Sequence, residues 1–249
     1  MDALTISAAS GMKARMEALE MLANNIANQA SAGYKADREF YSLYISPEAL
    51  ASVDASVAPL PPTAPVIERH WTDFTQGSLQ TTGNPLHVAI QGKGFFTVAG
   101  PAGPLYTRNG SFQLSRAGQL QTLDGFAVQG TGGQPIQLNP AQTVEITATG
   151  AIRQGGAAVA QLAIVEFQQP DHLAKHSGTY FQLSDPGITP QAAPDAVAHQ
   201  GKLEGANFTP AESAVRLVTV MRQFEMLQKA IQISSEMSRK SEEVARVGS

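Results

Sequence analysis

Apolar residues near the start of the chain recur with a helical period. Met12, Met16, Leu19, Ala23 and Ile26 are spaced by steps of four and three residues, which is the spacing of a narrow coiled-coil seam. A helix that packs on several neighbours would carry a wider apolar stripe. The pattern therefore predicts an N-terminal helix that contacts one or two partner helices.

A second seam of the same kind lies near the other end of the chain. Its members are Leu217, Val220, Phe224, Leu227 and Ile231. The sequence TPAE at 209–212 fits a capping box with proline at the first helical position. A long helix is thus predicted from about residue 210, and neither seam can be buried by its own helix. We therefore expect the two terminal helices to pack on each other.

The sequence between the helices has the texture of β-structure. Short runs of alternating apolar and polar residues are separated by glycine-containing turns at 92–94, 117–118, 124–125 and 132–133. This spacing is typical of an antiparallel sandwich or barrel. The dipeptide Asn109-Gly110 tolerates positive φ at both turn positions, so it predicts a type I′ hairpin.

Two proline-rich stretches flank this β region and are typical of extended linkers. The predicted fold class is α+β, with an antiparallel β body inserted between helices that pair as a discontinuous, coiled-coil-like domain. The predicted boundaries are 1–35 plus 209–249 for the helical domain, 36–66 and 184–208 for the linkers, and 67–183 for the β-rich body.

Composition excludes several classes of function. The formal net charge is −4 and the basic residues are scattered, which argues against nucleic acid as a partner. No apolar run approaches the roughly 18 residues that a membrane span needs, so no membrane insertion is expected. Cysteine is absent, which excludes disulfides and thiolate chemistry. A basic region followed by an apolar stretch is also missing, so no cleaved signal peptide is expected.

Candidate chemistry is sparse. His172 and His176 are spaced like two ligands of a helical metal site, but their surroundings indicate a strand end and a turn, and no third ligand is apparent. The Gly92–Gly94 stretch lacks the later glycine and the helix of a phosphate-binding loop. Glu145 and Glu166 have no acidic companions at motif spacing. We therefore expect no catalytic activity, no metal and no cofactor.

The first helix runs into "NNIANQASAGYK" at 24–35, which resembles the N-terminal signature of bacterial flagellar axial proteins. In that signature, Asn-Asn-apolar-Ala-Asn is followed by a Thr/Ser-x-Gly-aromatic-Lys turn, and Ser31 stands where threonine is commoner. "TQGSLQTTGNPLHVAIQGKGFFTV", "YTRNGSF" and "GKLEGANFTPAESAVRLVTVMRQFEMLQKAIQ" look like rod and hook members of the same family. The resemblance covers most of the chain, with three motifs in the right order.

The resemblance implies a structural subunit of the flagellar basal-body rod, closest to the proximal rod protein. Such subunits cross the periplasm as part of a torque-transmitting shaft, and their partners are other copies, other rod subunits and the flagellar export apparatus, which delivers them without a cleaved signal peptide. A distal rod or hook-type axial protein is the alternative. A β-domain protein that binds or cleaves glycans is more remote.

The expected assembly interface combines both seams with the signature. It comprises Met12, Met16, Leu19, Ala23, Asn24, Asn25, Ile26, Asn28, Gly33, Tyr34, Leu217, Val220, Phe224, Leu227 and Ile231. Gly33 is expected to stop the helical region. The asparagines are interpreted as small amides that bond to nearby main chain where a helix end packs among identical helices. An ordinary helix end followed by a turn remains open as an alternative.

Overall fold

In the described part of the chain, one helix precedes the β-structure and another follows it. The structure is a computed structural model that describes residues 3–45, 63–185 and 187–247. Helix α1 spans Ala3–Ala27 and helix α2 spans Pro210–Val247. Helix α2 begins at the predicted proline, which needs no backbone N–H at this position. The α+β class, with an antiparallel β body between the helices, is confirmed.

The chain divides into two compact units. The first, here called the axial unit, contains the described parts of Met1–Ile26, Asp37–Trp71 and Pro210–Ser249. The second, here called the body, contains Ala27–Ala36 and Thr72–Thr209. Both helices therefore lie in the axial unit, apart from the last residue of α1. The residues just after α1 belong to the body, whereas the sequence interpretation had placed residues up to 35 in the helical domain.

The axial unit also contains strands where a linker was predicted. Strands β1 (Asp37–Ile45) and β2 (Thr63–Thr72) pair in a two-stranded sheet. Their sequences, DREFYSLYI and TAPVIERHWT, contain the aromatic and β-branched residues that favour strands. Because the stretch "SPEALASVDASVAPLPPTAP" is rich in proline, the predicted linker, 36–66, included all of β1 and the start of β2. Residues 46–62 of the predicted linker lie outside the described residues.

The described residues of the body form sixteen strands, in which every pairing is antiparallel. They are β3 Leu79–Thr81, β4 Val88–Gln91, β5 Phe95–Gly100, β6 Gly103–Thr107, β7 Phe112–Leu114, β8 Leu120–Thr122, β9 Ala127–Val128, β10 Val144–Ile146, β11 Ala151–Gln154, β12 Ala157–Gln161, β13 Ile164–Glu166, β14 Leu173–Ser177, β15 Tyr180–Leu183, β16 Gln191–Ala192, β17 Val197–Gln200 and β18 Lys202–Glu204.

One large sheet dominates the body. Its strand order is β14-β15-β6-β5-β9-β8-β7, and β13 joins it beside β5 and pairs with β16. A three-stranded sheet, β10-β11-β12, and the two pairs β17-β4 and β18-β3 complete the body. The main apolar core lies among these strands. It consists of Val88, Ile90, Phe96, Val98, Leu105, Phe112, Leu120, Val128, Ile136, Leu138, Ile146, Ile152, Leu162, Tyr180 and Ala198.

The stretch 184–208 differs from the predicted linker because it contributes three strands to the body. Strand β16 pairs with β13, β17 with β4, and β18 with β3. Of the prolines that suggested a linker, Pro190 directly precedes β16 and Pro194 lies in the turn before β17. The β17–β18 segment around Gly201 is free of proline, so it can donate to a ladder.

The hairpin predicted at Asn109-Gly110 is wrong. Strands β6 and β7 flank this dipeptide but do not pair with each other, since β6 pairs with β5 and β15 and β7 pairs with β8. Gly110 is needed for a different reason. A Cβ atom on it would collide with the carbonyl of Val88, whose N–H donates to the Gly110 carbonyl at 3.1 Å. The glycine thus permits a close backbone approach.

The structure also shows where two predicted turns and the two histidines lie. The turns predicted at 117–118 and 124–125 join β7 to β8 and β8 to β9. His172 ends a 3₁₀ turn (Pro170–His172) and His176 lies in β14. Neither helix, over its described residues, is long and apolar enough to cross a membrane.

Candidate assembly interface

The terminal helices contact each other through a small apolar cluster in the axial unit. Val220 of α2 is buried with Ala18 and Leu22 of α1, and Leu19 packs against them half-buried. Alanine at the contact lets two helix backbones approach closely. The pairing of the two chain ends that the seams suggested is therefore present in the structure.

The C-terminal seam lies where its period placed it. Val220 is buried, and the other four predicted members, Leu217, Phe224, Leu227 and Ile231, are half-buried. Ser213 and Ser234 are also buried and continue the same alternation of three and four residues. This face of α2 is thus covered within the axial unit along most of its length.

The N-terminal seam has the predicted period but a different phase. The buried positions of α1 include Ala14, Ala18, Leu22 and Asn25. Of the predicted positions, Met16 and Ala23 are exposed, and Met12, Leu19 and Ile26 are half-buried. The buried positions are shifted by one or two residues from the predicted ones, and the helix contact buries Ala18 and Leu22 while Leu19 packs at its edge.

Asn25 joins α1 to the first strand. Its Nδ2 donates to the carbonyl of Asp37 at 2.9 Å, and the N–H of Asp37 donates to Asn25 Oδ1 at 3.1 Å. An amide carries a donor and an acceptor side by side, so it can satisfy both groups of a single residue's main chain. Glu39 of the same strand forms an ion pair with Arg216 of α2. Asn25 therefore acts within the chain, where the sequence interpretation had expected contacts among identical helices.

The other asparagines of the signature lie in different surroundings. Asn24 is exposed, at the edge of a shallow cleft that Glu20, Asp37 and His70 also line. Asn28 is half-buried, and its carbonyl accepts the N–H of Ser31 at 3.0 Å. These contacts begin the turn that follows α1.

An apolar stripe is exposed on the side of α2 that faces away from the seam. Val215, Val218, Met226, Ile233 and Met237 are between 49% and 69% exposed. Basic residues lie among them at heptad spacing, since Val215, Arg222 and Lys229 follow one another at intervals of seven residues, as do Met226, Ile233 and Lys240. We call these eight residues the apolar–basic stripe.

A groove of about 480 Å³ lies beside the seam. Met12 and Met16 of α1 and Ile231 of α2 supply its apolar lining, and Glu17 and Glu20 stand among them, with Lys13 paired to Glu17 at 3.8 Å. Methionine side chains adapt readily to an irregular partner. We call this feature the acidic groove.

Beyond α1 the signature enters the body. Gly33 has a φ of +68° and donates its N–H to the carbonyl of Glu204 at 2.7 Å. A Cβ atom on Gly33 would collide with the main chain of Arg108 and Asn109. Helix α1 has already ended at Ala27, so Gly33 does not cap it as the sequence interpretation expected. It permits the close approach of the two backbones.

Tyr34 and Lys35 are both completely buried in the body. The ring of Tyr34 lies edge-on to Phe208, with 6.1 Å between centroids, and Lys175 Nζ stands 4.4 Å from its centre. Lys175 Nζ also donates to the carbonyl of Lys35 at 2.9 Å. Tyr34 is therefore an anchor within the body.

Lys35 is one of three charged residues in a buried cluster. Its Nζ lies 2.6 Å from Glu204 Oε1, and Arg108 Nη1 lies 3.3 Å from Glu204 Oε2. The side chains of Lys35 and Glu204 are fully buried, and that of Arg108 is almost so. Burial lowers the pKa of Lys35 and of Arg108 from their usual values, and the carboxylate of Glu204 opposes the shift in both.

Further hydrogen bonds complete the cluster. Lys35 Nζ donates to the Thr75 carbonyl at 2.6 Å, and Arg108 Nη2 donates to the Gly92 carbonyl at 2.7 Å. The N–H of Gly77 donates to Glu204 Oε1 at 2.9 Å. Lys35 and the stretch "KLEGANF", which contains Glu204, both belong to the family motifs, but the sequence does not indicate that the two residues pair. No local pattern predicts a pairing between residues so far apart in the chain.

Three family models match the chain in order. "Flagella basal body rod protein" matches residues 7–35, "Flagellar hook protein FlgE/F/G D1 domain" matches 89–154, and "Flagellar basal body rod FlgEFG protein C-terminal" matches 199–244. The first match ends at Lys35 and the last contains Glu204, so the two outer models include partners of the buried cluster.

Curated relatives match over nearly their whole length. The flagellar basal-body rod protein FlgG of Agrobacterium fabrum is 36% identical over 96% of this chain and 97% of its own. FlgF of Caulobacter vibrioides is 30% identical over 99% of this chain and 98% of its own, and FlgF of Mesorhizobium japonicum is 29% identical over 88% and 87%. With this similarity along its full length, the chain belongs to the flagellar basal-body rod protein family.

Proposed function

We propose that this chain, a structural subunit of the flagellar basal-body rod, assembles with copies of itself through its axial unit into a helical shaft that transmits torque. The observation that carries the proposal is the pair of unlike surfaces on that unit. The apolar–basic stripe exposes large apolar side chains and cations, and the acidic groove offers an apolar lining with Glu20 and the Lys13–Glu17 ion pair.

The two surfaces complement each other in chemistry. Val215, Met226 and Ile233 of the stripe can bury their side chains against Met12 and Met16 of the groove, because both sets are apolar and accessible. Arg222 and Lys229 of the stripe have the charge opposite to that of Glu17 and Glu20. Opposite charges across an interface fix register and exclude wrong partners.

The geometry of the two surfaces favours an open assembly. The stripe lies on the side of α2 away from the seam, and the groove lies beside the seam, so one copy cannot use its own groove. A contact between two different surfaces is heterologous, and repetition of such a contact generates a helical filament unless the rotation closes a ring. A rod requires this kind of contact.

The absence of cysteine makes the contact directly testable. We expect the double variant Met16→Cys/Ile233→Cys to form disulfide-linked oligomers between copies when purified basal bodies are oxidised, because these side chains lie in the groove and the stripe. A disulfide needs Cα atoms about 4.4–6.8 Å apart, so it reports direct contact. Non-reducing electrophoresis would resolve the oligomers.

The matched control is Met16→Cys/Gln232→Cys. Gln232 is exposed next to Ile233 but points to another side of α2, so its cysteine should give little product. Equal yields from both pairs, or disulfides to other proteins only, would contradict a contact between copies through these surfaces.

The position of this chain along the rod is a proposal that rests on its sequence. We propose a proximal rod position, given the short chain and modest β body, with a distal rod or hook-type protein as the alternative, since relatives named FlgF and FlgG both match. Partnership with the export apparatus, delivery without a cleaved signal peptide, and the lack of catalytic activity stay predictions. Cryo-microscopy of basal bodies carrying a tagged chain would locate it along the rod.

A further inference from the structure

Segments from both ends of the body are joined at one place. The signature segment, defined here as residues 27–36, meets the segment that precedes α2. Gly33 donates its N–H to the Glu204 carbonyl, and the N–H of Ala36 donates to Asn207 Oδ1 at 2.8 Å. Asn207 Nδ2 in turn donates to the Asp73 carbonyl at 2.6 Å, and the N–H of Asp73 donates to the Ala36 carbonyl at 2.9 Å.

Glu204 is the centre of this junction. Its side chain bonds to Lys35 of the signature segment, to Gly77 of the loop before β3, and to Arg108 after β6. Its own carbonyl accepts the N–H of Gly33. One residue thus contacts three separate segments of the body.

We propose that Glu204 is a latch: it holds the signature segment and the segment before α2 side by side on the body, and so keeps together the two segments that lead into α1 and α2 for assembly. The latch is a positioning device, separate from the surfaces that contact other copies. Only its consequence for assembly rests on the proposed function.

Burial makes the latch effective. Almost no water contacts Lys35, Glu204 or Arg108. Their charged groups contact one another, and those of Lys35 and Arg108 also donate to main-chain carbonyls. A buried charge that loses its partner is strongly destabilising, because it is neither solvated nor paired. When the carboxylate is lost, the body can relieve this penalty by releasing the short segment that carries Lys35 into water.

The release should be local. The signature segment contributes no strand to the large sheet, and the main apolar core contains none of its residues. Helix α1 ends at Ala27 and α2 begins at Pro210, so the two segments that the latch holds are the ones that lead into the helices. An open latch therefore leaves the sheets folded but frees these two segments from each other.

Hydrogen exchange on the full-length chain tests the latch. We expect the isosteric variant Glu204→Gln, which removes the charge, to speed exchange of the Gly33, Ala36 and Gly77 amides by about 10²–10³-fold. The amides of Phe96 and Val98, in the centre of the large sheet, should change far less. Glu204→Asp keeps the charge on a shorter side chain, so it should restore part of the protection.

The matched control is Glu145→Gln, because Glu145 is exposed on β10 and this change should leave all five amides as they are. The double variant Glu204→Gln/Lys35→Met provides a second test if Glu204→Gln does not fold. It leaves no unpaired charge on the signature segment, so the Gly33 and Ala36 amides should keep most of their protection, and loss of that protection would show that the charge of Lys35 does not drive the release. In Glu204→Gln, equal acceleration at Phe96 and Gly33 would show general destabilisation, and unchanged exchange would show that the charge is dispensable. Either result overturns the latch.

A separate measurement tests the positioning role. Cells that carry Glu204→Gln should lose motility although the sheets stay folded, whereas Glu145→Gln cells should swim normally. Normal swimming with an opened latch would overturn the positioning role. The cysteine pairs test the surfaces between copies independently, so failure of the latch and failure of the proposed interface give different results.

Discussion

Replacement of Gly33 by alanine is expected to detach the signature segment from the body, with a larger effect than alanine at a turn glycine that has a positive φ alone. Two penalties combine at this position. The φ of +68° is unfavourable for a residue with a Cβ atom, at about 1–2 kcal/mol. The Cβ atom would also collide with the main chain of Arg108 and Asn109, which cannot rotate away as a side chain can.

Alanine variants of three other glycines test backbone strain and steric collision one at a time. Gly83 has nearly the same φ, +72°, with open space around its missing Cβ, so Gly83→Ala introduces strain alone. Gly77 has an ordinary φ, but a Cβ atom there would collide with the carbonyl of Gly205, so Gly77→Ala introduces the collision alone. Gly132 has neither feature.

Urea unfolding and hydrogen exchange at Ala36 measure the four variants. We expect Gly132→Ala to be close to neutral, Gly83→Ala to lower the free energy of unfolding by about 1 kcal/mol, and Gly77→Ala and Gly33→Ala to have larger effects, with Gly33→Ala the more severe. Equal effects for Gly33→Ala and Gly83→Ala would show that the signature segment is not held against Arg108.

The features that could be predicted from the sequence are those set by local pattern. Heptad spacing predicted both terminal helices, and Pro210 predicted the start of α2. The phase of α1 was missed, because the seam was drawn through Met16 and Ala23, although Ala18 and Leu22 make the contact. Hydrophobicity identifies residues that are favourable to bury, but only the distance between two helices decides which side chains fit.

The buried cluster could not be predicted, since its energetics depend on residues that are distant in sequence. Lys35 alone suggests an exposed cation, because lysine is rarely buried without a partner. Its partner Glu204 lies in a stretch whose prolines suggested a linker. Asn25 shows the same limit, because its amide was recognised as a main-chain ligand but its partner, Asp37, was sought in another copy.

The second large effect is expected from Val220→Asp, which should separate α1 from α2 and abolish motility while the body stays folded. Val220 is buried against Ala18 and Leu22. A carboxylate in this apolar contact would be unpaired, at a cost of about 3–5 kcal/mol. The apolar cluster between the helices is small among the described residues, so it cannot offset this penalty. The helices should therefore part rather than bury the charge.

Hydrogen exchange and swimming assays together test this expectation, with Gln232→Asp as the matched control. Gln232 is exposed on the same helix, so the control introduces the same residue outside the seam. It loses at least as much helix propensity as Val220→Asp, because glutamine is a better helix former than valine. Val220→Asp should accelerate exchange in α1, where no residue has been changed, and leave the Phe96 amide in the large sheet protected. Such acceleration can arise only through the contact between the two helices. Motile Val220→Asp cells, or equal exchange in α1 for both variants, would show that the seam does not hold the chain ends together.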